Sequence, residues 1–289
     1  MTPGSFEYHA PSNLDEAIKL LGKFSDQAKI LAGGHSLLPM MKLRFAEPGH
    51  LIDINRIAEL KGIREEKGTI RIGAMTTENE LIASELLKQK CPLIPDAARL
   101  IADPQVRNCG TIGGDIAHGD PGNDHPAVML AVEASFVLRG PKGSRTVPAD
   151  GFFLGTFQTQ LKADEILAEI RVPVVGANSG YAYCKLKRKT GDFATAAAAV
   201  QLQLDGKKCK KITIALTNLG PTTLKAADAA AVLVGNEVDD ARIEQAAKKA
   251  MAICDPAEDL RGDRDYKIHM AGEMTRRAIS LALYRAWGK

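Results

Sequence analysis

The sequence predicts an α+β protein in three successive parts, residues 1–57, 58–177 and 178–289. Through the first two parts, short apolar runs alternate with capped segments of helical period, the texture of mixed α/β units. In the third, strand-like runs come first and helical patterns follow. Between them lies VPVVGANSG, one proline and two glycines in nine residues, the strongest boundary signal in the chain.

In the first part, Ser12 or Asn13 can cap a helix whose Leu14, Ile18 and Leu21 recur at helical spacing, with Gly22 placed to end it. Ala28 to Ala32 and Leu51 to Ile54 read as short strands, with a glycine segment, Gly33 to Pro39, between them. In the second part, alternation around Gly68 predicts a hairpin, and Thr77 with Glu80 offers a capping box for a helix reaching Lys90. A further helix from Pro95 ends near Arg107, before a second glycine-rich loop. SFVLRG and EILAEIRVP complete this part as strands. In the third, YAYCKLKRK, ATAAAAVQLQLD and KKITIALTNLG predict strands, and 222–234, 239–253 and 266–286 predict helices.

With 38 basic and 35 acidic side chains, the net charge of +3 recommends neither nucleic acid nor an anionic membrane as partner. The N-terminus has no basic segment followed by an apolar run, and no stretch of eighteen apolar residues appears. The expected location is the cytoplasm, with a peripheral position at the inner face of the cell membrane compatible with it. Five cysteines without a CxxC offer no zinc or iron–sulfur signature.

The two glycine segments, AGGHSLLP and TIGGDIAH, fit neither GxGxxG nor GxxxxGK[ST]. Glycine turns can still bind phosphate, because consecutive backbone N–H groups without β-carbons can form a concave nest. His35, Ser36, Thr111 and Asp115 add polar contacts beside these turns. Two such loops can grip the two phosphates of a dinucleotide. A rival reading takes Ser36, after Gly34 and His35, as the nucleophile of an α/β serine hydrolase; Leu38 stands where the elbow needs its second glycine. His118, Asp120, Asp124 and His125 have metal-ligand chemistry, but Asp-Pro-Gly-Asn is turn chemistry and favours a polar loop, so no metal is assigned. Lys185, Lys187, Arg188 and Lys189 form a basic cluster whose alternating lysines can reach an anionic ligand.

AGGHSLLPMMKLRFAEPGHLIDINRI, TIGGDIAHGDPGNDHPAV, GFFLGTFQTQL and KLKRKTGDFATAAAAV together resemble the FAD-binding subunits of the molybdenum hydroxylases, the family that includes xanthine dehydrogenase. Within it they most resemble the flavoprotein subunits of the carbon-monoxide-oxidising branch. The resemblance implies a two-subdomain FAD-binding fold of the vanillyl-alcohol-oxidase (PCMH) type, followed by a C-terminal α+β domain with a small antiparallel sheet and helices.

By the family pattern, Ala32, Gly33, Gly34, His35, Ser36 and Leu37 would form one FAD loop, and Thr111, Ile112, Gly113, Gly114 and Asp115 the other. Asp124 would accept hydrogen bonds from the ribityl or adenosine part, and Leu161 would line the pocket. Lys187, or Lys185 two residues earlier, would approach the flavin's pyrimidine side. Phe193 stands where some relatives place a tyrosine, and its phenyl ring can cover the flavin without donating a hydrogen bond. No residue of this chain would be catalytic in the oxidation itself. The implied partners are a large subunit with a molybdenum cofactor and copper and a small subunit with two [2Fe–2S] clusters, in a dimer of heterotrimers, with a quinone or another acceptor taking the electrons. Another member of the family, acting on a purine, aldehyde or aromatic substrate, is the alternative.

Overall fold

The structure, a computed structural model, describes residues 2–288. The first layer contains β1 (Glu7–His9), α1 (Leu14–Phe24), β2 (Ala28–Leu31), α2 (Leu37–Lys42) and β3 (His50–Asp53), its strands parallel in the order β1-β3-β2. Asn13 caps α1, its side chain accepting from the Glu16 N–H, and Leu14, Ala17, Ile18 and Leu21 are buried. Gly22 does not end the helix. A β-carbon there would meet nothing within 4 Å, and α1 runs to Phe24, stopping at Ser25 with φ 49°.

The second layer is built on β4 (Ile63–Glu66), β5 (Thr69–Gly73), β6 (Ser135–Gly140), β7 (Gly143–Pro148), a ribbon of β8 (Phe153–Gly155) and β9 (Gln158–Thr159), and β10 (Ile166–Pro173). Five of these form an antiparallel sheet, β4-β5-β10-β6-β7. β10 joins two cores: Ile166 and Ala168 pack into the first layer and Leu167 into the second, and past the register shift between Leu167 and Glu169 the alternation changes face, so that Ile170 and Val172 also pack into the second.

Its helices are shorter than expected from the sequence. Thr77 and Glu80 do form the capping box of α3 (Glu78–Ala83), but Ser84 ends that helix and caps α4 (Glu85–Lys90). The helix predicted from Pro95 is likewise two, α5 (Leu93–Ala98) and α6 (Pro104–Cys109). Asp103 caps the latter, with Pro104 at its first position, where a missing N–H costs nothing. α7 (Ile112–His118) and α8 (Asp124–Ala131) follow, so the second glycine loop is in fact the start of a helix.

The third layer carries the antiparallel strands β11 (Ser179–Leu186), β12 (Ala196–Asp205), β13 (Lys208–Thr217) and β14 (Leu224–Lys225), then α9 (Ala227–Leu233), α10 (Asp240–Ala252) and α11 (Arg264–Ala286). Its alanine run is explained by burial on both faces. Ala197 and Ala199 pack on the second layer, while Ala196 and Ala198 pack under the helices of the third. α11 lies so close on β11 that a β-carbon at Gly180 would sit 1.7 Å from the Ala282 carbonyl oxygen. Among the described residues, no helix is long and apolar enough to cross a membrane.

Candidate functional site

A cleft of about 920 Å³ runs between the first and second layers and is bordered by the start of the third. Ala32, Gly33, His35, Ser36, Leu37, Thr111, Gly113, Gly114, Asp115, Asp124, Leu161, Lys185 and Phe193 line it. Gly34 lies within the first turn without joining the wall, Ile112 is fully buried in the second core, and Lys187 stands off the wall.

The first turn leaves β2 and enters α2. Gly33 packs against backbone: a β-carbon there would lie 2.3 Å from the Cys109 carbonyl oxygen and 2.8 Å from the Gly110 Cα. Gly34 takes φ +75°, the left-handed region that side chains disfavour. Leu38 N–H bonds to Gly34 carbonyl and Met40 N–H to Ser36 carbonyl, but the N–H groups of Gly33, Gly34, His35, Ser36 and Leu37 find no acceptor among the described residues. Five successive donors on the rim of a cleft form the kind of nest that receives an anion. Ser36, at the cap position of α2, makes no side-chain capping bond, and its hydroxyl meets no histidine, which leaves the hydrolase reading without a base.

The second segment behaves differently. Ile112 N–H donates to Thr76 carbonyl at 3.0 Å, Gly113 N–H to Ala74 carbonyl at 2.9 Å and Asp115 N–H to Thr111 carbonyl at 3.0 Å. Gly114 N–H donates to the Thr111 hydroxyl at 3.2 Å. The nest expected here is absent because these donors are used, two by the carbonyls of Ala74 and Thr76 and two by Thr111 at the cap of α7. A β-carbon at Gly113 would fall 2.5 Å from the Ala74 Cβ, so this glycine brings α7 onto the residue that follows β5.

Beneath α7 lies a buried ionic cluster. His125 Nε2 meets Glu78 Oε2 at 2.8 Å, their side chains 0% and 3% exposed. Burial opposes the imidazolium, but Glu78 prevails and holds His125 at about 9. Burial pushes the Asp115 carboxyl up to about 8, and its Oδ1 is a buried atom without a partner on the cleft wall. Asp124 accepts from the Tyr183 hydroxyl at 2.5 Å and from Lys185 Nζ at 2.7 Å. Tyr183 is raised well above its ordinary pKa by burial and by Asp124. The four polar groups weighed above as a metal set therefore go separate ways: Asp120 accepts from Gly122 N–H, and His118 lies against Phe157 with ring centroids 4.9 Å apart.

The basic cluster shapes the loop between α5 and α6. Lys185 and Lys187 both donate to the Leu100 carbonyl, at 3.3 and 3.2 Å, and Arg107 donates to the Ile101 carbonyl at 2.8 Å. Ile101 and Ala102 thereby become cleft wall, a contribution sequence reading missed. Burial and the neighbouring Lys185 lower the pKa of Lys187. Phe193, 46% exposed, is held by its neighbour Asp192, which accepts from Phe193 N–H, Arg188 and Arg261. Burial works against the Asp192 carboxylate, but the two guanidinium groups hold its pKa at about 2. Arg261 also lies over the Phe193 ring, 5.5 Å from its centroid. Nothing in the local sequence announces the link between Asp192 and Arg261, 69 residues apart.

A family model for the FAD binding domain in molybdopterin dehydrogenase matches residues 4–175, and one for the CO dehydrogenase flavoprotein C-terminal domain matches residues 181–282. The chain belongs to the FAD-binding subunits of the molybdopterin dehydrogenases. It is 60% identical over 285 residues to the carbon monoxide dehydrogenase medium chain of Hydrogenophaga pseudoflava, covering 99% of both chains. It also superposes on a chain of the solved carbon monoxide dehydrogenase from that organism with TM-score 0.98 and 62% identity, over 99% of each. A solved Cu,Mo-CO dehydrogenase in its cyanide-inactivated form gives TM-score 0.97 at 49% identity, covering 99% of this chain and 100% of the other.

The cleft fits the cofactor of this family: unpaired N–H groups suit a pyrophosphate, and the unpartnered Asp115 oxygen suits a polar group of the ligand.

Proposed function

We propose that this chain is the flavin-bearing electron-transfer subunit of an aerobic carbon monoxide dehydrogenase. The observation that carries this reading is the turn Gly33–Leu37, whose five free N–H groups border a cleft of about 920 Å³ in a chain 60% identical to a carbon monoxide dehydrogenase medium chain. FAD, when bound, exchanges electrons singly or in pairs, which suits a junction between one-electron centres and a two-electron acceptor.

The chain's own part is to hold and shield that group. The first turn binds the pyrophosphate, while Thr111, Gly114 and Asp115 face it from the second layer. Asp124, Tyr183 and Lys185 fix the wall behind them, with Lys185 rather than Lys187 reaching the cleft. Leu161 and Phe193 supply apolar cover. The units are 1–57 and 58–177, which enclose the cofactor, and 178–289, which closes its side.

The partners are a large subunit with a molybdenum cofactor and copper, where carbon monoxide and water become carbon dioxide, two protons and two electrons, and a small subunit with [2Fe–2S] clusters. The complex is a cytoplasmic dimer of heterotrimers that delivers electrons to a quinone or another acceptor at the membrane face.

The test is the visible spectrum of the chain produced with both partners, before and after anaerobic addition of carbon monoxide. Flavin bands that bleach on addition are expected. Bands that ignore carbon monoxide but bleach with a purine or aldehyde would overturn the substrate assignment, and a complex without flavin would overturn the reading as a whole.

A further inference from the structure

We propose that Glu7, His9 and His50 form a binding site for a divalent transition-metal ion, with Zn²⁺ the ion their chemistry suits best. Sheet register brings them together. β1 and β3 are parallel, with Glu7 paired to His50 and His9 to Ile52. Side chains alternate along a strand, so Glu7 and His9 share one face, and Tyr8 goes to the other, where its hydroxyl donates to Asp53 Oδ2 at 2.5 Å.

The donor atoms have the spacing of a coordination triangle. His9 Nε2 and His50 Nδ1 are 3.2 Å apart, and Glu7 Oε2 lies 3.4 Å from the His50 nitrogen and 3.9 Å from that of His9. A tetrahedral zinc ion with bonds of about 2.0–2.1 Å sets its ligand atoms about 3.3 Å apart. The longest edge ends on a glutamate whose side chain is 72% exposed and free to rotate inward.

The imidazoles are held more firmly. The Phe24 ring stacks on His50 with centroids 3.7 Å apart and planes at 14°, and on His9 at 5.0 Å. This aromatic floor fixes both ring planes and keeps water from one side of the triangle. Two imidazoles and a carboxylate leave a fourth position to water, a donor set suited to zinc. The ion would pin β1, an edge strand of three residues, to β3 forty-one residues on. The site lies on the edge strand β1 and its neighbour β3, and none of its three residues lines the cleft.

The experiment is calorimetric titration of Zn²⁺ into the metal-stripped full chain, with amide exchange of residues 7–9 measured in parallel. One ion per chain is expected, with slowed exchange in β1. His9→Gln and His50→Gln should each weaken binding at least tenfold, since losing even a partner behind a metal ligand costs about 10–100-fold. Because His50→Gln also removes a ring stack, Glu7→Gln at an exposed position is the control for folding and should weaken binding as well. No binding, or affinity unchanged in the three variants, would overturn the proposal.

Discussion

The two glycine segments look alike in the sequence, each a pair of glycines beside small polar residues, yet the fold uses them in opposite ways. In Gly33–Leu37 the chain turns without satisfying its own donors, and five N–H groups remain for a ligand. In Ile112–Asp115 the Thr76 and Ala74 carbonyls and the Thr111 cap take those donors up, and Gly113 serves contact with Ala74. A glycine pair is therefore ambiguous until the fate of its N–H groups is known. On the function proposed above, the first segment recognises the ligand and the second positions its helix.

The comparison is sharpened first by breaking the support beneath the second segment. Glu78→Ala leaves buried His125 without its carboxylate and should cost about 3–5 kcal/mol of stability, read by urea unfolding of the flavin-free chain. The same cluster sets a pH dependence. Unfolded histidine and aspartate release their protons near 6.5 and 3.9, whereas the folded chain keeps them up to about 9 at His125 and about 8 at Asp115. The folded state binds more protons between those limits, so stability falls as pH rises through the window and levels off above about 9. His125→Gln should flatten the part between about 6.5 and 9, seen in urea midpoints across that range.

Gly113→Ala drives a methyl group into Ala74 and should cost about 1–3 kcal/mol with or without flavin, measured by thermal unfolding. Smaller effects separate the two segments most cleanly. Thr111→Ala removes a capping bond and should cost about 1 kcal/mol, whereas Ser36→Ala, which removes none, should stay within about 0.5 kcal/mol. Gly34→Ala places a side chain at φ +75° for about 1–2 kcal/mol, but its larger mark should be lost flavin in the purified complex, because the nest reorients.

What the sequence made legible was local. Asn13, Thr77 with Glu80, and the hairpin at Gly68 announce themselves because a cap or a turn is decided within four residues. Ser84 and Asp103 are the same kind of signal, but they sit inside runs whose helical period continues across them, which hid two helix breaks. Both lining segments were found from their glycines. The cluster that holds them was not: Glu78 meets His125 across 47 residues, and Asp192 meets Arg261 across 69. Such pairs follow from the packing of three layers, which no local period encodes. The lysine alternation was visible, but its two-residue register needed the strand pairing that places Lys185 at Asp124.

The most direct test of the division of labour is amide hydrogen exchange of the full chain in its complex, with FAD bound and after its removal. The N–H groups of Gly33–Leu37 should exchange fast without FAD and be protected when it binds, while those of Ile112–Asp115 should be protected in both states. Protection gained at Ile112–Asp115 on FAD binding, with none gained at Gly33–Leu37, would contradict the assignment of the first turn as the recognising one.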